Sequence, residues 1–146
     1  MPDKLKDTIR ADLNSARRDR DKLRTTVLTT LLSEIRNREI DVGHELVDAE
    51  VHAVVTSAIK RRREAAEQMR AGAREELAQK EEQEAAQLQA YLPPQLTEGD
   101  VRALVREAIA GGAADIGGVM KAVNPKTKCR FDGRELNRIA REALGG

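Results

Sequence analysis

This 146-residue chain is nearly devoid of aromatic side chains, with Tyr91, Phe131 and no Trp. Reading single-stranded nucleic acid by base stacking needs aromatic platforms, so the sequence argues against that mode. The single cysteine, Cys129, excludes an internal disulfide and a cysteine-based zinc site. His44 and His52 are eight positions apart, which matches no familiar metal-ligand spacing, and they read as surface histidines. No apolar run approaches the roughly 20 residues that a membrane span needs. The amino terminus, MPDKLKDTIRADL, is charged from its third residue and has no apolar signal core, so a cytoplasmic location is expected. A glycine-rich phosphate loop is missing too. Gly111-Gly112 and Gly117-Gly118 lack the strand–loop–helix context and the Lys-Ser/Thr ending, and read as a helix stop and a close helix contact.

What is present is helix-forming. Ala, Leu, Glu, Arg and Gln dominate and β-branched runs are missing, so the fold class is all-α. Leu5, Ile9, Leu13 and Ala16 give a first amphipathic helix. The charged run Arg17 to Lys22 is either a connection or a polar turn within a longer helix. Leu23, Val27, Leu28, Leu31, Leu32 and Ile35 form the strongest apolar stripe, its end marked by Asn37 and then Gly43, with a loop over residues 36–47. Asp48 is placed to cap a third helix carrying Val51, Val54, Val55, Ala58 and Ile59. Gly72 ends or bends it, and a sparsely anchored helix follows from Arg74, with Leu77, Ala85, Leu88 and Leu92 as its apolar contacts. Pro93-Pro94 must stop that helix and favour an extended segment.

Two domains are therefore expected: an N-terminal helical hairpin or bundle over 1–92 and a small three-helix domain over 97–146, joined by a Pro-rich linker at 93–96. Thr97 and Asp100 form a capping box with a Leu96–Val101 staple. Val101, Leu104, Val105, Ala108 and Ile109 face the core. The next helix (Ile116, Val119, Met120, Val123) is expected to stop at Asn124-Pro125. A basic loop, Lys126 to Arg130, leads to a last helix capped by Asp132, with Glu135 reaching back.

The total charge of +1 hides an asymmetry. Residues 121–141 carry seven Lys/Arg against two acids, a net +5, while the rest of the chain, with 19 basic and 23 acidic residues, carries −4. Phosphate recognition needs such a cluster. Lys121, Lys126, Lys128, Arg130, Arg134, Arg138 and Arg141 are the candidate RNA-binding residues. Arg134, Arg138 and Arg141 fall at helical spacing, and Arg130 and Arg134 have guanidinium forks suited to bidentate phosphate contact. The competing reading is a solvated face partly paired with Asp132, Glu135 and Glu142. Arg17-Arg18-Asp19-Arg20 and Lys60-Arg61-Arg62-Arg63 read as solvated helix faces, with extension of an RNA surface as the alternative.

The string DIGGVMKAVNPKTKCRFDGRELNRIAREAL resembles the carboxy-terminal signature of the GatB/YqeY family, with Gly117, Pro125, Asp132 and Gly133 as its structural motif. The stretches Lys22-Leu23-Arg24 through Arg36-Asn37-Arg38-Glu39-Ile40, and Ala71-Gly72-Ala73-Arg74 through Tyr91 to Leu96, are also similar, so the resemblance spans essentially the whole chain. It departs at Cys129, where a glycine commonly precedes Arg130; a glycine tolerates positive φ, which cysteine adopts only with strain. The resemblance implies a stand-alone relative of the helical and tail portion of the glutamyl/asparaginyl-tRNA amidotransferase B subunit, a module that contacts tRNA outside the reaction centre. By association it also points to carbon–nitrogen ligase chemistry with glutamine as amido-N-donor.

No catalytic residue, metal site or cofactor is expected. Nothing forces Cys129 together with a histidine, and as a thiol it is either a small filler in a loop or a nucleophile favoured by Lys128 and Arg130. The expected role is binding of folded tRNA by shape and backbone, without membrane contact or DNA specificity. The alternatives are a modulator of amidotransfer acting through amidotransferase subunits or a tRNA-processing protein, and a protein-interaction module using helix 74–92.

Overall fold

The computed structural model describes residues 4–145 as seven α-helices without a strand: α1 (Leu5–Arg18), α2 (Lys22–Val42), α3 (Asp48–Ala71), α4 (Glu75–Leu88), α5 (Glu98–Ala110), α6 (Ile116–Thr127) and α7 (Gly133–Ala143). A 3₁₀ turn, Gln89–Tyr91, follows α4. The chain divides into two compact units, residues 1–92 and 93–146.

The first unit buries the stripes that helical periodicity marks: Ile9 and Leu13 of α1, Val27, Leu28, Leu31 and Ile35 of α2, Val51, Val55, Ala58 and Ile59 of α3, and Ala85 and Leu88 of α4. α3 and α4 form an antiparallel hairpin. Arg62 lies near Glu84 (3.5 Å), and Arg70 holds both Glu75 (2.8 Å) and Glu82 (2.7 Å). Buried alanines at 58, 66, 78 and 85 let the two backbones approach. Helix α4 is thus docked within its own unit. The expected anchor Leu77 is wrong by one position: it is 45% exposed, and Ala78 takes the buried place. Tyr91 closes the unit by donating its hydroxyl to Asp12 (2.6 Å).

Two local expectations in this unit need correction. Helix α2 does not end near Asn37 but runs to Val42, so only residues 43–47 form the loop. Arg38, Glu39 and Ile40 continue the helix, and the true stop is Gly43, left-handed at φ 79°. Asp48 is not the cap of α3. That position is Val47, whose N–H donates to Glu50, while Asp48 accepts the N–H of Leu5 (3.0 Å) at the start of α1. Of the two readings of the charged run at 17–22 the connection holds: residues 19–21 join α1 to α2, with Asp21 capping α2 through the Arg24 N–H (3.0 Å).

The C-terminus of α3 shows a misplaced glycine. The bonds Arg74 N–H to Met69 O (2.8 Å) and Ala73 N–H to Arg70 O (3.1 Å) make a helix-terminating turn whose left-handed residue is Ala73, at φ 61°. Gly72 takes a right-handed conformation, where an added Cβ meets only ordinary contacts at 3.6 Å. At the end of α5 the equivalent turn places Gly112 at the positive-φ position instead. Exchanging the pair, Gly72→Ala with Ala73→Gly, is therefore expected to stabilise the first unit by about 1 kcal/mol, because a left-handed non-glycine costs about 1–2 kcal/mol. A urea titration followed by circular dichroism measures it; an unchanged or lower midpoint counts against the assignment.

Lys6 is the one strongly buried lysine, 5% exposed, with its ammonium on Glu39 (2.8 Å) and Glu45 (3.0 Å). Glu39 also accepts the Leu46 N–H (2.9 Å). Burial opposes the charge on Lys6, but the bonds to the two carboxylates outweigh it and raise its pKa above 10.5. The Lys6 hydrogen bond lowers Glu39 and Glu45 below 4.5. A lowered carboxylate stabilises the fold above its unfolded pKa and loses that contribution as pH falls through its folded value. Stability is therefore expected to decline below pH 4.5, and Lys6→Met to make that acid limb shallower while lowering the neutral plateau. Urea midpoints across pH 3–7 check it; an acid limb of unchanged slope contradicts the assignment.

The second unit packs Val101 and Val105 of α5, Val119 and Val123 of α6, and Leu136, Ile139 and Ala140 of α7. Thr97 and Asp100 form the expected reciprocal box (3.0 and 3.1 Å), and Leu96 packs on the core. Contrary to expectation, α6 does not stop at Pro125 but runs through it to Thr127. Proline in the last turn removes only one N–H from the ladder, and the Lys128 N–H to Asn124 O bond (3.0 Å) completes the turn. Gly117 and Gly118 are not a helix-packing contact. They lie in the first turn of α6, where Asp115 accepts the Gly118 N–H (2.8 Å).

Candidate nucleic-acid interface

The basic segment spans the end of α6, the turn 128–132 and α7. Lys126 stands on the helix rather than in a loop, and Lys121 lies about one and a half turns before it. Asp132 caps α7 by accepting from the Arg134 and Glu135 N–H groups (2.7 and 3.3 Å). Gly133 opens that helix with nothing near its α-carbon. The expected return bond from Glu135 is not made; its carboxylate holds Arg138 instead (2.8 Å).

The seven cations divide into two kinds. Lys121, Lys126, Lys128 and Arg134 are exposed, and no carboxylate of the described residues pairs with them. Arg141 is exposed and donates only to the Asn137 side chain (2.7 Å). Arg138, by contrast, is surrounded by Glu135 (2.8 Å), Glu142 (2.8 Å) and Glu98 of α5 (3.5 Å). Arg102 adds bonds to Glu98 (2.7 Å) and Glu142 (3.1 Å). This α5–α7 lattice raises the Arg138 pKa, chiefly through Glu135, and lowers Glu98 and Glu142, chiefly through Arg102. With two arginines on three carboxylates, that side of the unit is no phosphate surface. Arg134 and Arg141, two turns apart on α7, lie clear of it.

Arg130 differs again. Its Nε donates to Pro94 O (2.8 Å) and one terminal nitrogen to Lys126 O (3.3 Å), so two of its five N–H donors are engaged by backbone. The Arg130 carbonyl accepts the Leu96 N–H (2.9 Å). Gln95 bridges Pro93 O and Cys129 O, both at 2.9 Å. Segment 93–96 is thus extended and bonded to the turn. Cys129 itself is left-handed, at φ 62°. Gln95 had no signal in the sequence beyond following two prolines.

Of the two other basic clusters, Lys60 to Arg63 has Arg61 paired with Glu34 (2.8 Å) and Arg62 with Glu84 (3.5 Å), whereas Arg17, Arg18 and Arg20 are exposed. His44 sits near Glu50 (3.6 Å) and the Glu45 carbonyl (2.9 Å). Among the described residues no three His, Cys, Asp or Glu side chains converge as a metal site would require. No described helix is long and apolar enough to cross a membrane.

The family of Yqey-like proteins matches residues 6–144, nearly the whole chain. The chain belongs to the YqeY-like family. This YqeY-like chain is also 31% identical over 87 residues, 58% of its length, to the Candida glabrata protein named Altered inheritance of mitochondria protein 41, mitochondrial. It spans about half of that relative, 48%.

Proposed function

We propose that this YqeY-like chain binds folded tRNA as an accessory protein, without a catalytic centre of its own. Lys121, Lys126, Lys128, Arg134 and Arg141 supply the contact. The carrying observation is their division from the paired arginines: five exposed cations without carboxylate partners on α6, the turn and α7, beside a self-neutralised α5–α7 lattice. Exposed cations exchange counterions for phosphates, which gives affinity without base readout. Shape recognition of an A-form surface suits a chain with a single Tyr, a single Phe and no Trp. The cytoplasm is the compartment we assign; the Candida glabrata relative carries a mitochondrial name, and the same chemistry serves there.

Titration of the full chain with total tRNA in gel-shift experiments tests this. Affinity is expected to fall steeply from 50 to 200 mM salt and to exceed that for a DNA duplex of equal charge. Equal and salt-insensitive retention of both nucleic acids sinks the reading. A second reading, modulation of amidotransfer through an amidotransferase subunit or a tRNA-processing partner, is favoured by Ile40 and Val47, which are 70% and 61% exposed around the α2–α3 loop.

A further inference from the structure

Three bonds join segment 93–96 to the turn that carries the basic residues, across more than thirty positions of sequence: Arg130 Nε to Pro94 O, Gln95 Nε2 to Cys129 O and Leu96 N–H to Arg130 O; a fourth, local bond from Arg130 to Lys126 O anchors the guanidinium. Together they fix the carbonyls of residues 126, 129 and 130. They belong to the peptide units 126–127, 129–130 and 130–131, the first attached directly to Lys126 and the other two beginning one residue beyond Lys128. Leu96 is seated on the core of the unit, so the segment is a fixed support for the turn. The turn needs one, because its left-handed residue is Cys129 rather than glycine.

We propose that Gln95 and Arg130 form a clasp that positions Lys126 and Lys128 for phosphate contact, and that Arg130 works through this clasp rather than as a phosphate ligand. The proposal rests on the RNA-binding reading above. Its physical content is preorganisation: a cation on a fixed backbone loses less freedom on binding than one on a mobile turn. The clasp needs a planar fork able to reach two carbonyls in different directions. A lysine keeps the charge and has no fork. Gln95 contributes hydrogen bonds and no charge at all.

These differences separate positioning from contact. Removing a phosphate ligand lowers the salt slope of binding, by about 0.7–0.9 per contact. Removing a positioning residue weakens binding and leaves the slope where it was. Gln95→Ala, Arg130→Lys, Arg130→Ala and Lys128→Ala are compared in the full chain against total tRNA at several salt concentrations. Gln95 is exposed, so its truncation leaves no buried group unpaired and the fold is kept. Gln95→Ala and Arg130→Lys are expected to weaken binding about tenfold at every salt concentration, with the wild-type slope. Lys128→Ala is expected to make the slope shallower by nearly one. Arg130→Ala should match Arg130→Lys in affinity. If Arg130→Lys binds as wild type while Arg130→Ala loses slope, Arg130 is a phosphate ligand and the proposal fails. It fails equally if Gln95→Ala binds as wild type.

Amide exchange at Leu96 gives a readout independent of RNA. Protection in the wild type, lost in both Gln95→Ala and Arg130→Lys, establishes the clasp; protection retained in both removes it. A wild-type chain that binds no tRNA overturns the RNA reading, and the positioning role with it, even where the Leu96 exchange result stands.

Discussion

Replacing Lys126, Lys128 and Arg134 together by alanine is expected to make the salt dependence of tRNA binding shallower by about 2 to 3 in log–log slope. With five phosphate contacts the wild-type slope is roughly −3.5 to −4.5, so affinity falls on the order of 100- to 500-fold between 50 and 200 mM salt. The triple variant keeps at most two contacts. Its affinity at 50 mM should therefore drop by orders of magnitude, while at high salt the two proteins converge. The matched control is Arg138→Ala. Its guanidinium is held by Glu135 and Glu142 at 2.8 Å, so counterions are not displaced there by RNA, and the slope should stay as in the wild type. A slope lost equally in both variants means that the basic segment acts as a diffuse field, and the division between exposed and paired cations is then wrong.

The second large effect concerns the support under that surface. Ile139→Ala is expected to unfold the second unit while leaving the first intact. The buried core of residues 93–146 consists of seven side chains, against fourteen in the larger cluster of the first unit. A unit of that size holds about 3–8 kcal/mol of stability, and truncating a fully buried isoleucine to alanine removes about 2–5 kcal/mol. Ile139 is 0% exposed, and its loss opens the junction of α7 with its neighbours. Urea unfolding by far-ultraviolet dichroism should show the helical signal of α5–α7 lost early, with the remaining transition in its wild-type place. Binding of tRNA should disappear with the first step. A single transition coinciding with that of the wild type refutes the expectation.

Much of this architecture is legible because its determinants are local. Thr97 with Asp100, Asp132, the stripes on α1 to α3 and the end of α5 at Gly111-Gly112 each follow from residues within a few positions of one another. Errors arise where a local signal has a distant competitor. Asn37 looks like a helix end, yet α2 passes it because Glu39 is held by Lys6, 33 positions away. Asp48 looks like the cap of its own helix but accepts from Leu5. On a shallow apolar stripe, Leu77 outweighs Ala78 by hydrophobicity, and close packing of two helices selects the small residue. Pro125 marks a helix end only to within its own turn.

The candidate surface divides along the same line. Charge counting finds all seven cations but leaves open the backbone at Cys129, which is left-handed at φ 62°. It names Glu135 and Glu142 as partners without deciding that both hold Arg138 and leave Arg134 unpaired, and it cannot see that Arg130 faces the backbone of Pro94, 36 positions away.

Tyr91 gives the two units different optical visibility. It is the sole tyrosine of a chain without tryptophan, it belongs to the first unit, and its hydroxyl is buried against Asp12 with its pKa pushed up to about 12, mainly by burial. Near-ultraviolet absorbance and intrinsic fluorescence therefore report residues 1–92 almost alone. The unit carrying the basic surface is nearly dark, with Phe131 as its one aromatic ring. A fluorescence melt can look fully native while that surface has already come apart.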